Sequence, residues 1–166
     1  MQANICEVCL KSDILCNADQ AKLDNNLISQ MEIDISRFLY KMTEKIISLR
    51  DVKISKILDT GVILIVCRIG DAPKLVGKNG YVVKALAKKF KKSIRVLEEA
   101  STFEKFIENL VFPAQIAGIN TLYTPEKEIY KIRVPTIQKN KLMISPENFS
   151  SLVENLFNKK VEIIFD

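Results

Sequence analysis

A chain of 166 residues, 48% hydrophobic and 27% charged, can hold one medium domain or two or three small ones and is too apolar to be disordered. It contains no His and no Trp, which removes the commonest general base and every His-dependent triad. Its net charge of +5 fits a polyanionic partner, and no apolar run approaches the ~18 residues that span a bilayer.

Residues 1–24 stand apart. They carry Cys6, Cys9 and Cys16 but too few apolar residues for a core of their own. So short a piece needs a metal, or docking onto the body, to be ordered. The beginning lacks the basic region and apolar core of a signal peptide, and a cytoplasmic protein is expected. From Ile28 to Leu49 the apolar residues recur at helical spacing. Asp51 to Ile69 is rich in β-branched residues and breaks at Asp59-Thr60-Gly61, a hairpin signal. Its second arm is nearly all apolar, as a central strand would be. Pro73 suits the first turn of a short helix ending at glycines. Tyr81 to Lys91 reads as a helix with Val83, Leu86, Ala87 and Phe90 inward and Lys84, Lys88 and Lys91 outward. Ser93 to Glu98 alternates as a strand.

The pattern then returns. Thr102 to Val111 predicts a helix, and Ala114 to Tyr123 with Glu128 to Val134 predicts a hairpin around Thr124-Pro125-Glu126-Lys127. A short, poor helix follows over Thr136 to Met143, then a helix over Glu147 to Asn158 and a strand over Val161 to Phe165. Phe90-Lys91-Lys92-Ser93-Ile94-Arg95-Val96 aligns with Phe157-Asn158-Lys159-Lys160-Val161-Glu162-Ile163, which marks an internal repeat of an α/β unit. The fold class expected is α+β.

The segment Lys74 to Arg95 is the most informative. It holds eight basic residues, Lys74, Lys78, Lys84, Lys88, Lys89, Lys91, Lys92 and Arg95, and no Asp or Glu. These eight exceed the net charge of the whole chain, so the remainder is net acidic. Inside it lies Gly77-Lys78-Asn79-Gly80, a G-x-x-G turn flanked by lysines. Glycines let another backbone approach closely, and amides at the following helix start favour an anion. A plain helix–helix turn beside a solvated lysine face is the competing reading, although faces kept only for solubility normally mix both signs.

A helix–hairpin–helix–GxxG–helix–strand order with a basic second helix resembles the type II K-homology (KH) domain. Two such units joined through Val111-Phe112-Pro113-Ala114-Gln115-Ile116 resemble the tandem KH pair of the transcription factor NusA, in particular the short archaeal NusA-like proteins. The resemblance covers roughly Ile28 to Asp166. It implies two α-β-β-α-α-β domains, each a three-stranded sheet with helices on one face, at 25–100 and 101–166, after the Cys-containing segment 1–24. It implies single-stranded RNA as partner, clamped by its backbone at Gly77, Lys78, Asn79 and Gly80, with Lys74, Lys84, Lys88, Lys91 and Arg95 adding charge. Val76, Val83, Ile94 and Val96 would line the groove for the bases. It further implies a role in transcription elongation or termination, with RNA polymerase or ribosome components as additional partners. The second unit departs from the pattern: it reads Ile144-Ser145-Pro146-Glu147-Asn148 where the glycines should stand. That leaves it as a packing platform, a protein-binding surface, or an RNA contact through Lys131, Arg133, Lys139 and Lys141.

Cys6-x2-Cys9-x6-Cys16-x2-Asp19 resembles a zinc knuckle with its last cysteine replaced. Cys6, Cys9, Cys16 and Asp19 can supply four ligands to one structural Zn2+. An eroded knuckle without metal and a Cys6–Cys16 or Cys9–Cys16 disulfide are the other readings. Cys67, in an apolar strand, reads as core.

Three functions follow: an RNA-binding module, a ribosome-associated or ribonucleoprotein adaptor in which the second unit and the knuckle bind protein, and an enzyme. The last is disfavoured, since there is no His, no Walker loop, no strong nucleophile constellation and no paired carboxylates in a plausible cleft.

Overall fold

The most apolar run of the sequence becomes the centre of a sheet. In the computed structural model, which describes residues 1–166, the chain forms two units, Met1–Glu99 and Ala100–Asp166. The architecture is α+β, with one three-stranded sheet in each unit.

In the first unit β2 (Ile63–Cys67) is buried at all five positions. It pairs antiparallel with β1 (Ile54–Asp59) and parallel with β3 (Ile94–Glu98), giving the order β1-β2-β3. A parallel partner requires a crossover, and here it carries α4 (Ala72–Val76) and α5 (Tyr81–Phe90). With α3 (Gln30–Met42) these helices enclose one core. Ile35, Leu39, Leu75, Val82 and Leu86 meet Ile57, Ile63 and Ile65, with Ile94 and Val96 packed against them. Strand alternation sends Arg95 and Leu97 to the other sheet face, where both are buried. In α5 the fully buried residues are Val82 and Leu86, whereas Val83, Ala87 and Phe90 are half-buried. Phe90 meets Phe38 edge-on at 5.9 Å.

The helix expected over Ile28 to Leu49 is shorter. Ser29 caps α3 by accepting from the Glu32 amide, and the helix ends at Met42. There the Thr43 hydroxyl turns back to the Tyr40 carbonyl at 2.6 Å, and Arg50 donates to the Thr43 carbonyl. Ile46 and Leu49 still reach the core, through a 3₁₀ turn at Ile47–Asp51. Apolar spacing alone could not register that break.

The Cys-containing segment belongs to the first unit. It forms α1 (Glu7–Lys11) and α2 (Asn17–Asp24), and Ile5, Cys9 and Leu10 share a small core with Ile28 and Ile33. Gln2 pairs with Lys53 beside β1. Asn4 donates to the Glu32 carboxylate at 2.6 Å and to the Ser55 carbonyl at 2.9 Å. Docking onto the body is thus achieved by packing and hydrogen bonds together.

The second unit repeats the topology. α6 (Phe103–Val111) precedes β4 (Gly118–Tyr123) and β5 (Glu128–Val134), paired antiparallel. A 3₁₀ turn at Thr136–Lys141 and α7 (Pro146–Phe157) lead to β6 (Lys160–Phe165), parallel to β5. α7 and α5 end alike: Asn158 and Lys91, aligned in the sequence repeat, are both left-handed, with φ of 53° and 55°. No helix is long and apolar enough to cross a membrane.

Glu32 is 4% exposed, and burial raises its carboxyl pKa against the pull of Asn4 and Lys56. A raised folded-state pKa means stability is lost as pH rises through it. Glu32→Gln keeps an acceptor for Asn4 without the charge. In urea titrations the variant should gain stability relative to the natural chain on going from pH 4 to pH 8. No change in the difference between them would remove Glu32 as a buried titrating group.

Candidate nucleic-acid interface and metal centre

The G-x-x-G turn is built by its own chain first. Gly77 has φ 76° and ψ 171°, a region open essentially to glycine. A Cβ there would lie 2.7 Å from Cγ2 of Val82, a residue of the α5 core face. Gly80 is left-handed at φ 71°, and its Cβ would meet only Lys84 Cε, at 3.7 Å. Asn79 is left-handed too, which Asn tolerates better than most residues. The Gly80 amide donates to the Gly77 carbonyl at 3.1 Å, closing the turn, and Lys78 and Asn79 are exposed at its tip. Gly77 is therefore required by the fold whether or not a ligand approaches.

The eight basic residues do not form one free surface. Lys78, Lys84, Lys88, Lys89 and Lys91 are exposed and have no acidic partner. Lys92 pairs with Asp59 at the β1–β2 turn, which holds that carboxyl below its ordinary pKa. Lys74 pairs with Asp71 at 3.0 Å. Arg95, expected on the RNA face, is instead 9% exposed on the buried side of β3, and burial lowers its pKa. Of the expected groove residues, Val76 is 38% exposed, while Val83, Ile94 and Val96 are half-buried.

Sequence reasoning missed two carboxylates behind the loop. Asp71 is 1% exposed. Its side chain leaves its own helix uncapped and accepts instead from the Lys53 amide at 3.0 Å, from Arg68 and from Lys74. Burial alone would raise its pKa, but these donors outweigh it and the net shift is downward. Glu98, at the end of β3, accepts from the amides of Gly70 at 3.0 Å and Ala72 at 3.3 Å. The signal available was Asp before Ala72-Pro73, an Asp placed where a helix starts.

In the second unit four of the eight basic residues are engaged, Lys105 among them with Glu108 at 3.1 Å. Arg133 pairs with Asp166. Lys159 donates to the Tyr130 hydroxyl at 2.7 Å and lies over the Tyr130 and Phe103 rings at 4.3 and 4.9 Å. Lys139 covers the Phe165 ring at 5.1 Å. At the α7 start Ser145 caps the Asn148 amide, with Glu147 in the first turn.

The structure brings Cys6, Cys9, Cys16 and Asp19 together: their ligand atoms all lie within 4.8 Å of one another. Cys6 and Cys16 occupy the cap positions of α1 and α2, so both helix starts face the cluster. Cys6 Sγ is 3.4 Å from Cys9 Sγ, and the Cys16 amide donates to Cys9 Sγ at 3.1 Å. A tetrahedral thiolate site with bonds of ~2.3 Å separates its ligand atoms by about 3.8 Å, so the cluster needs little adjustment to hold an ion. Asp19, 1% exposed, accepts from the Cys6 amide at 2.8 Å and from Lys22 at 2.7 Å. A carboxylate has about four lone-pair directions, so two remain for a metal. Burial opposes its charge, yet Lys22 and the Cys6 amide hold the carboxyl well below the usual range. Burial pushes the Cys9 thiol up to about 12, whereas the Asp19 amide and Cys9 lower Cys16. All four cysteines are free thiols, and Cys67 is buried in the core. The four residues can bind a metal ion.

Gly77→Ala should cost about 1–3 kcal/mol from backbone strain alone, with the Val82 clash added. Gly80→Ala should cost about 1–2 kcal/mol, the ordinary price of a left-handed residue. Chemical denaturation measures both, and an equal or reversed order would mean that Val82 moves aside freely.

No family model matches the chain, and no curated protein matches it. A solved structure described as the crystal structure of APE1850 is similar, with a TM-score of 0.62 at 19% sequence identity, over 84% of this chain and 100% of that chain. At that identity the likeness concerns the fold alone.

Proposed function

We propose that the chain is a non-enzymatic, cytoplasmic RNA-binding protein built on two type II KH-like units, similar to the archaeal NusA-like proteins. It grips single-stranded RNA at Gly77-Lys78-Asn79-Gly80 and acts in transcription elongation or termination. The observation that carries this reading is the exposed Lys78-Asn79 tip at the start of α5, on the same helix as unpaired Lys84 and Lys88. The helix–hairpin–helix–helix–strand order of α3, β1, β2, α4, α5 and β3 supports it. Backbone amides at a helix start and lysines at its side suit a phosphate chain. Sequence preference would come from the half-buried Val83, Ile94 and Val96.

A second reading, the ribonucleoprotein adaptor, is favoured by the second unit. Its helix start carries Glu147 rather than glycines, and Arg133 and Lys159 are held by Asp166 and by aromatic rings. That unit fits a protein partner such as a polymerase or ribosome component better than a phosphate backbone.

The cysteine cluster is proposed as a structural Zn2+ site held by Cys6, Cys9, Cys16 and Asp19. Zinc takes thiolate and carboxylate ligands in a closed tetrahedron, and the four ligand atoms already lie within 4.8 Å of one another.

Fluorescence anisotropy with short labelled single-stranded RNAs across a salt series tests the first reading. Each neutralised phosphate contributes about −0.7 to the log–log salt slope on single strands, so five exposed lysines allow a slope of about −3.5 at most. Lys78→Asp with Asn79→Asp should weaken binding at least ~10-fold, about 1.4 kcal/mol. Asp is tolerated at the left-handed position 79, so the fold should survive. Equal binding by both proteins would remove the loop as the contact.

Elemental analysis of purified protein should find about one zinc per chain, and Cys9→Ser with Cys16→Ser should lose it. Folded natural protein without metal would leave the cluster as a hydrogen-bonded thiol site.

A further inference from the structure

The acid that answers the lysine-rich segment lies just ahead of it, out of sight of solvent. Asp71 joins three pieces of chain: the Lys53 amide at the start of β1, Arg68 after β2, and Lys74 inside α4. Arg68 also donates to the Asp51 carbonyl at 3.0 Å, and the Asp71 carbonyl accepts from the Lys74 and Leu75 amides. Glu98 fixes the same corner from β3 through Gly70 and Ala72. α4 has only five residues, and its last carbonyl partner is made by Gly77, whose amide donates to Pro73 at 3.0 Å. So short a helix has almost no stability of its own. Its direction, and with it the position of Gly77, is set by what holds its beginning.

We propose that Asp71 is the positioning residue of the Gly77–Gly80 loop and that Lys74 is spent on Asp71 rather than on a phosphate. This rests on the RNA-binding reading of the loop. Removing a buried carboxylate that organises three donors leaves those donors to find water, and the corner loosens. The loop then reaches its ligand-ready shape in only a fraction of molecules, and apparent affinity falls by that fraction. Simple electrostatics gives the opposite sign. Asp71→Asn raises the net charge by one and frees Lys74, which should tighten binding to a polyanion.

The experiment compares Asp71→Asn and Lys74→Gln with the natural chain, using single-stranded oligouridylate RNA in a salt series. Amide hydrogen exchange is measured on the free proteins. Asp71→Asn is expected to bind at least ~5-fold more weakly despite its added charge. Protection of the Gly77 and Gly80 amides should fall at least ~10-fold while the Ile65 amide in β2 is unchanged. Lys74→Gln keeps a donor for Asp71 and is expected to bind within ~2-fold, with an unaltered salt slope. Tighter binding by Asp71→Asn, or equal loop protection, overturns the proposal. So does a slope shallower by about 0.7 in Lys74→Gln, the signature of one lost phosphate contact. If Asp71→Asn fails to fold, Asp71→Ser, which also removes the charge but fills less of the buried site, carries the same readouts. Should the natural chain bind no RNA, the RNA reading falls, while the exchange data still decide whether Asp71 orders the loop.

Discussion

Complete burial of Ile63–Cys67 is the constraint from which the first unit follows. A strand with no exposed position must be covered on both edges and both faces. One edge is met locally by the β1 hairpin. The other is met by a parallel strand, and that requires a crossover long enough to return the chain to its starting end. The crossover is where α4, the glycine turn and α5 lie. The exposed lysines thus sit on that crossover, whose first corner is held by buried Asp71 and by half-buried Glu98 reaching over from β3.

Charge in this molecule is sorted by depth rather than by sequence. The eight basic residues of Lys74 to Arg95 look alike in the sequence, but the structure divides them. Five face water without partners, two pair with Asp71 and Asp59, and one is folded beneath the sheet. Exposed unpaired lysines repel one another, which weakly opposes folding and strongly favours any polyanion that arrives. The cysteine cluster shows the reverse arrangement, with a buried carboxylate and a buried thiol enclosed by amides and one ammonium.

Much of the secondary structure was legible because it rests on local rules. The periodicities around Leu86, Phe149 and Ile65, the Asp59-Thr60-Gly61 turn and Pro73 each dictated their element within a residue or two. The cysteine and aspartate spacing likewise foretold the cluster. What escaped depends on contacts far apart in sequence. The break after Met42 is held by Arg50 and by the Thr43 hydroxyl. The fate of Lys74 depends on an aspartate also tied to Lys53, and that of Arg95 on which face of β3 is turned toward the helices. Strand alternation placed Arg95 opposite Ile94 and Val96, but not which of the two faces was the outer one. α1 and α2 were missed because five and eight residues carry too weak a periodicity, and their caps are cysteines rather than the usual Ser, Thr, Asp or Asn.

The end of α5 carries a cost that reveals what the local sequence favours. Lys91 takes the left-handed conformation in which a helix normally ends on glycine, at an expense of about 1 kcal/mol or more. At the equivalent place the second unit uses Asn158, a cheaper residue there and an uncharged one. Substituting glycine would make the first unit more robust and would erase an outward ammonium in the same step. Robustness and surface potential are therefore rival demands on one side chain, and a sequence optimised for heat resistance alone would drift away from the one observed.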